Sequence, residues 1–134
     1  MSKALKDFVT EARQQIPEVD PETAQEMHEA QDSLLLLDVR EPEEFAAGHV
    51  PGAVNVPRGL LEGAADPDYK RPHPELSTAR DRTVLVLCAT GGRSAMAAAT
   101  LHAMGFGDVR NVAGGLANWV AEDEPFEGEL VEHP

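Results

Sequence analysis

Apolar residues along the chain follow two alternating patterns. Runs dominated by Leu and Val at residues 34–39 and 83–87 are typical of parallel strands that are buried on both faces. Shorter runs predict strands at residues 53–56 and 109–112. Between these segments, strong helix formers and helix-start signals predict helices at residues 21–29, 42–47, 93–104 and 115–121. Strands that alternate with helices predict an α/β fold, a parallel sheet with helices on both faces.

The amino-terminal residues carry a separate helical pattern. Apolar residues recur there at helical spacing and predict an amphipathic helix: Leu5, Phe8, Val9, Ala12 and Ile16. We expect this helix to pack on the surface of the domain, with partner binding or dimerisation as the alternative. Residues 58–82 are the least regular stretch, and the acidic residues 122–134 are predicted to be loose. The chain therefore divides into a helical extension (1–17), one domain (18–124) and an acidic tail (125–134).

Composition narrows the classes of function. The chain has 134 residues, enough for one domain, and its net charge of −13 argues against nucleic acid and anionic membranes as partners. It has no run of about 18 apolar residues that would cross a membrane, and its first residues lack the apolar core of a signal peptide. A single cysteine excludes an internal disulfide and a cysteine-based metal cluster, and the five histidines lack metal-ligand spacing. We therefore expect no metal, no cofactor and a cytoplasmic location.

The one cysteine lies where a strand pattern gives way to a helix pattern. Cys88 follows the run at residues 83–87, and Gly91 and Gly92 come directly before the predicted helix. Ligands of parallel sheets bind beyond the carboxyl ends of the strands, and a glycine-rich loop that enters a helix turns its N–H groups toward an anion. A thiol held there ionises readily, and Arg93 adds a permanent positive charge. The sequence therefore predicts that Cys88 is a thiolate nucleophile, since an inert buried cysteine would not explain the glycines and the arginine.

Four segments resemble the rhodanese, or sulfurtransferase, family. Residues 88–94 (Cys-Ala-Thr-Gly-Gly-Arg-Ser) resemble its active-site loop, and three more segments match in the family's order: 36–41 (Leu-Leu-Asp-Val-Arg-Glu), 48–57 (Gly-His-Val-Pro-Gly-Ala-Val-Asn-Val-Pro) and 114–119 (Gly-Gly-Leu-Ala-Asn-Trp). The resemblance covers residues 18–124 and implies a single-domain rhodanese-like fold. It also implies that a persulfide on Cys88 passes sulfur from a donor, such as thiosulfate or a persulfide, to cyanide or a thiol. A thiol on another protein is a further candidate acceptor.

The same resemblance assigns roles to other residues. It implies that the substrate is bound by the loop residues Ala89, Thr90, Gly91, Gly92, Arg93 and Ser94. The hydroxyl groups of Thr90 and Ser94 are predicted either to donate to the persulfide or to cap the helix. Asp38 and Arg40 are expected to brace the site; the alternative is an ion pair between Arg40 and Glu41 or Glu44 that holds the loop.

Two other functions stay open. Cysteine-dependent phosphatases also place Cys and Arg around an anion-binding loop, but their loop is one residue longer and a His precedes the Cys. Here four residues separate Cys88 from Arg93, and Leu87 precedes Cys88. The other alternative is a non-catalytic rhodanese module for binding or signalling, against which the presence of Cys88 argues. Because Arg93 is the only cation in the loop and Ala89 follows Cys88, a low-charge donor is favoured over the thiosulfate dianion.

Overall fold

The structure, a computed structural model, describes residues 2–131 and alternates strands with helices. In chain order the elements are α1 (Leu5–Gln15), β1 (Glu18–Val19), α2 (Pro21–Ala30), β2 (Leu35–Asp38), α3 (Pro42–Ala47), β3 (Gly48–His49), β4 (Val54–Asn55), α4 (Leu61–Ala65), β5 (Thr83–Leu87), α5 (Gly92–Ala103), β6 (Asp108–Val112), α6 (Gly115–Ala121) and β7 (Glu127–Gly128). Two turns of 3-10 helix, Arg58–Leu60 and Leu76–Thr78, lie between β4 and β5. Each element predicted from the sequence is present, with ends that differ by at most one residue.

A five-stranded parallel sheet forms the centre of the molecule, in the order β1-β6-β5-β2-β4. The middle strand, β5, pairs with β6 on one side and β2 on the other. Successive residues of a strand face opposite sides of the sheet. Val84 and Val86 therefore enter one apolar cluster, whereas Leu85 and Leu87 enter the other. The predicted α/β fold with a parallel sheet is confirmed.

The amino-terminal helix α1 packs against α5, the helix that follows the cysteine. Ala12 and Ile16 are buried in this contact region, while Leu5 and Phe8 are exposed. A Cβ atom on Gly92, at the start of α5, would lie 3.5 Å from a methyl group of Val9. The helix thus packs on the surface of the same chain, close to the loop that carries Cys88. The division of the chain at residues 17 and 124 stays a prediction.

Two segments differ from expectation. The stretch that was predicted to be irregular contains the helix α4, in which Leu61 and Ala65 are buried. This helix was not predicted, because Gly63 in its middle lowers the helix propensity of the segment. The prediction that the acidic tail is loose is wrong around residue 128, because β7 pairs antiparallel with β3. Glycines permit this close approach, since a Cβ on Gly48 would lie less than van der Waals distance from the Glu129 backbone. Residues 132–134 of the predicted tail lie outside the described residues.

None of the helices within residues 2–131 has the length and apolar character needed to cross a membrane.

Candidate active site

The sulfur of Cys88 lies at the carboxyl end of β5 and at the amino end of α5. It accepts hydrogen bonds from the backbone N–H groups of Gly91, at 3.1 Å, and Ser94, at 3.3 Å. Gly91 has a φ of 98°, in the left-handed region that glycine adopts without strain, and this conformation turns the loop around the sulfur. Two converging amide donors at the start of a 12-residue helix create positive potential at the sulfur. The sulfur therefore has two backbone hydrogen-bond donors, on a side chain that is only 1% exposed.

The amino end of α6 forms hydrogen bonds with the backbone of the same loop. The N–H of Leu116 donates to the Cys88 carbonyl at 2.8 Å, and the N–H of Ala117 donates to the Ala89 carbonyl at 2.9 Å. Gly115 has a φ of 61°, and a Cβ atom there would lie 2.5 Å from the Cys88 carbonyl oxygen. The Gly-Gly sequence is therefore what lets α6 reach the backbone of Cys88. Trp119, further along α6, is fully buried in the core and donates its Nε1–H to the Pro125 carbonyl.

A series of side-chain hydrogen bonds through Asn111 ties the loop to β6. The Ser94 hydroxyl donates to Oδ1 of Asn111 at 2.5 Å, and the Asn111 amide donates to the Gly91 carbonyl at 3.2 Å and to Glu18 at 2.8 Å. The Ser94 hydroxyl thus holds the loop onto β6. The predicted helix capping by this hydroxyl is wrong, because no side chain caps α5, whereas its predicted donation to a persulfide stays a prediction. Thr90 is exposed at the outer surface of the loop.

Arg93, the cation of the loop, is neutralised by a carboxylate from a distant part of the chain. Its Nη1 and Nη2 lie 2.8 and 3.1 Å from the two carboxylate oxygens of Glu44 in α3. The Glu44 side chain is 6% exposed, so the pair is shielded from water on the carboxylate side. The hydrogen bond with Glu44 raises the pKa of Arg93 above its ordinary value. Arg93 is therefore permanently charged but balanced by a neighbouring negative charge.

Asp38 and Arg40 form a fully buried ion pair behind this contact. Arg40 donates from Nη2 to Asp38 at 2.8 Å and from Nε at 3.0 Å, and neither side chain is exposed. Its remaining donors reach the backbone carbonyls of Gly48, at 2.8 Å, and Glu44, at 3.4 Å. Arg40 thus forms its ion pair with Asp38, and not with Glu41 or Glu44 as in the alternative. Together the two residues hold the turn that presents Glu44 to Arg93.

A pocket of about 680 Å³ opens beside the loop. The loop contributes Ala89, Thr90, Gly92 and Arg93 to its lining. The other walls are apolar and are formed by Leu5, Val9, Met96, Ala117, Leu130 and Val131. The pocket therefore joins one face of the loop to apolar sides, and Cys88 itself is not among the residues that line it.

A second cavity, of about 940 Å³, is lined in part by three neighbouring basic residues, Lys70, Arg71 and His73, but by no residue of the loop at 88–94. The described residues hold no group of three or more His, Cys, Asp or Glu side chains that would bind a metal ion.

Three features of the site were not predicted from the sequence as site residues. Glu44 carries only the signal of an acidic residue in the first turn of a helix, which is commonplace. Asn111 is a polar residue inside a predicted buried strand, and such a residue needs buried partners, so this signal was available. The pocket walls from α1 and from residues 130–131 depend on tertiary packing and leave no local pattern.

Comparison with known proteins places the chain in a family. The family model of the rhodanese-like domain matches residues 20–122 of the sequence. A sulfurtransferase of Allochromatium vinosum is 31% identical over 111 residues, which cover 83% of this chain and 94% of that protein. The thiosulfate sulfurtransferase GlpE of Pseudomonas putida is 35% identical over 103 residues, which cover 77% of this chain and 84% of that protein. The Bacillus subtilis protein YrkF is 36% identical over 109 residues, and this chain spans about half of its length (54%).

Solved structures agree with these relatives in fold. A Rhodopseudomonas palustris protein of unknown function, named as a possible tyrosine phosphatase, superposes with a TM-score of 0.86 at 29% identity, over 95% of this chain and 96% of that one. The rhodanese-like domain of an Anabaena protein has a TM-score of 0.69 at 28% identity, over 85% of this chain and 80% of that one. The resemblance seen in the four sequence segments is confirmed, and the chain belongs to the rhodanese-like domain family, which includes sulfurtransferases among its relatives.

Proposed function

We propose that this protein is a sulfurtransferase that carries one sulfur atom as a persulfide on Cys88. The observation that supports this most directly is the pair of backbone N–H groups, from Gly91 and Ser94, that converge on the Cys88 sulfur at the start of α5. Such donors stabilise a thiolate before reaction and an anionic persulfide after it. The sulfurtransferases among the relatives support the same class of reaction.

The reaction proceeds by double displacement. The Cys88 thiolate attacks the outer sulfur of the donor, the sulfur–sulfur bond of the donor breaks, and its electron pair leaves on sulfite (from thiosulfate) or on a thiolate (from a persulfide). The product is an anionic persulfide on Cys88. A thiolate or cyanide then attacks the outer sulfur, the second sulfur–sulfur bond breaks, and the Cys88 thiolate is restored. Charge and sulfur balance in both steps, and no external oxidant is consumed.

The loop and the single cysteine determine how the intermediate is kept. We expect the amide groups at residues 89–93 to surround the outer sulfur, since the N–H groups of Gly91 and Ser94 already contact the inner one, and the burial of Cys88 excludes water from the inner sulfur. The chain has no second cysteine, so the persulfide does not collapse into an internal disulfide. The acceptor is therefore a second molecule, either a small nucleophile or a thiol on another protein. A cytoplasmic location suits this proposal, because a reducing compartment keeps Cys88 as a thiol.

A phosphatase is the second candidate, because one similar structure carries that suggestion in its name. Phosphoryl transfer needs cations that meet a dianion and the charge that develops in the transition state. In this protein the loop arginine is already held by Glu44 at 2.8 Å. Only four residues separate Cys88 from Arg93, which gives a smaller loop than that of cysteine-dependent phosphatases. Both observations favour sulfur over phosphoryl transfer.

Intact-protein mass spectrometry tests the proposal. The protein is incubated with thiosulfate and, separately, with cysteine persulfide, and its mass is measured before and after addition of cyanide. We expect a gain of one sulfur atom that cyanide removes, and no gain in Cys88→Ser. A protein that gains no sulfur from either donor, while it hydrolyses p-nitrophenyl phosphate through Cys88, would replace the proposal with the phosphatase.

A further inference from the structure

The pocket beside Cys88 is walled by segments from both ends of the described chain. Leu5 and Val9 come from α1, and Leu130 and Val131 follow β7. Met96, one turn along α5 from the loop, completes the apolar surface. Leu5 is 70% exposed, so its apolar side chain is open to solvent at this wall.

Both walls are attached firmly to the domain. The helix α1 is fixed by the buried Ala12 and Ile16, and Arg13 reaches to 3.4 Å from the position of a Cβ on Gly91, within the loop. The carboxyl-terminal wall is fixed by the pairing of β7 with β3 and by the hydrogen bond of 2.9 Å from the Glu129 N–H to the Ala47 carbonyl. The apolar surface is therefore a built part of the pocket and not a passing contact of two chain ends.

The arginines around the loop are each balanced by a carboxylate. Arg93 pairs with Glu44 at 2.8 Å and Arg40 pairs with Asp38 at 2.8 Å. Arg13, on α1, lies 3.4 Å from Glu18. None of these three arginines therefore offers an unbalanced positive charge to a small dianion in the pocket. The walls meanwhile leave apolar surface that such a dianion does not cover.

We propose that the pocket selects an organic persulfide of low charge whose apolar body lies against Leu5, Val9 and Met96. This inference rests on the proposed sulfur transfer through Cys88 and names its donor class. The Cys88 thiolate attacks the outer sulfur of the persulfide, and the apolar thiolate leaves with the electron pair of the broken sulfur–sulfur bond. Leu5 and Val9 are then specificity-determining residues that contact the body of the donor and take no part in the bond changes.

Two probes of equal charge isolate the effect of the apolar body. The benzenethiosulfonate and methanethiosulfonate anions each carry one transferable outer sulfur. After its transfer, the rest of each donor leaves as a sulfinate. The kcat/KM for sulfur transfer to cyanide is measured for both and divided by the rate constant of the same donor with N-acetylcysteine in solution, which removes the difference in intrinsic reactivity. We expect the normalised value to be roughly tenfold higher for the phenyl donor, because the walls bury its ring.

Variants of the wall supply the control. In the double variant Leu5→Ser/Val9→Thr, the preference for the phenyl donor should fall toward one, because the kcat/KM should drop more for the phenyl donor than for the methyl donor. Phe8→Ser alters an exposed aromatic residue of α1 that does not line the pocket, and it should keep the wild-type preference. Thermal unfolding checks that both variants remain folded.

The outcomes separate the two proposals. Equal normalised values for the two donors, or a preference that survives in Leu5→Ser/Val9→Thr, would overturn the inference and leave sulfur transfer standing. Failure of every donor to place sulfur on Cys88 would overturn both.

Discussion

The guanidinium group of Arg93 and the carboxylate of Glu44 form a two-point ion pair, with N–O distances of 2.8 and 3.1 Å, between the start of α5 and the middle of α3. Glu44 also accepts a hydrogen bond of 2.9 Å from the Glu41 N–H, so its carboxylate is held in place by its own helix. The contact sets the charge of the candidate active site. It converts the one cation of the loop from a free anion-binding group into half of a neutral pair.

Removal of the Glu44 charge should therefore shift the donor preference toward dianions. Glu44→Gln keeps the size of the side chain and a hydrogen-bond acceptor, but leaves the charge of Arg93 unbalanced. We expect the kcat/KM for thiosulfate to rise by about tenfold relative to that for methanethiosulfonate, since one extra charge near a partly buried anion is worth on the order of 1 kcal/mol or more. Thiocyanate formation measures both rates.

Glu43→Gln is the matched control, because Glu43 is the neighbouring acid of the same helix and is exposed. It should leave the donor ratio near that of the parent protein. If Glu44→Gln and Glu43→Gln changed the ratio equally, the ion pair would have no special part in donor selection.

Asn111 should be necessary for the shape of the loop, although it does not contact the sulfur. In Asn111→Leu the Ser94 hydroxyl and the Gly91 carbonyl lose their partner, and each unsatisfied buried group costs about 1–3 kcal/mol. We expect a lower free energy of unfolding in urea and slower persulfide formation, because both residues position an N–H group that binds the Cys88 sulfur.

A double-mutant cycle checks that this effect runs through Ser94. Ser94→Ala removes the hydroxyl that Asn111→Leu would leave unpaired, so the double variant should be less destabilised than the sum of the two single variants. Strictly additive losses would show that the two side chains stabilise the protein independently.

The elements around the site were predictable because they follow from local patterns. Residues 83–87 lack charge and are buried on both faces in the centre of the sheet, as such a run requires. Gly91 marks the turn after Cys88, because its φ of 98° lies in a region that residues with a side chain adopt only with strain. The place of Cys88 in the fold, between β5 and α5, could thus be predicted before the structure was known.

The pairing of side chains across the fold could not be predicted in the same way. Glu44 and Arg93 are 49 positions apart, and many carboxylates in this acidic chain were equally plausible partners. The pairing of Gly128 with Gly48 depends on two isolated glycines that meet only after the chain has folded. The apolar pocket walls likewise arise where α1 and the residues after β7 converge on the loop.

The Gly-Gly sequence at the start of α6 should be intolerant of a side chain. In Gly115→Ala the new Cβ would meet the Cys88 carbonyl oxygen at 2.5 Å, and the φ of 61° would add backbone strain of about 1–3 kcal/mol. We expect a lower melting temperature and slower sulfur loading, because α6 must withdraw from the backbone of Cys88. Gly59→Ala is the control, since a Cβ there has no atom within 4 Å, and it should change neither property appreciably. An unchanged loading rate in Gly115→Ala would mean that the contact with α6 does not position the nucleophile.

Asp38 is expected to act through stability and not through chemistry. Asp38→Asn removes the charge that balances Arg40 while the guanidinium stays buried, and loss of one partner of a buried pair costs about 3–5 kcal/mol. Asp108→Asn breaks a comparable pair with Arg110 whose side chains are 40% and 35% exposed, and such a pair contributes at most about 1 kcal/mol. The loss in the free energy of unfolding, measured in urea, should therefore be several-fold larger for Asp38→Asn than for Asp108→Asn.

At a temperature where Asp38→Asn is still folded, it should load sulfur onto Cys88 at a rate within a few-fold of the parent protein, because the Asp38 carboxylate is bound to Arg40 and not to the sulfur. A variant with full stability and no sulfur loading would instead place Asp38 among the groups that act on the substrate.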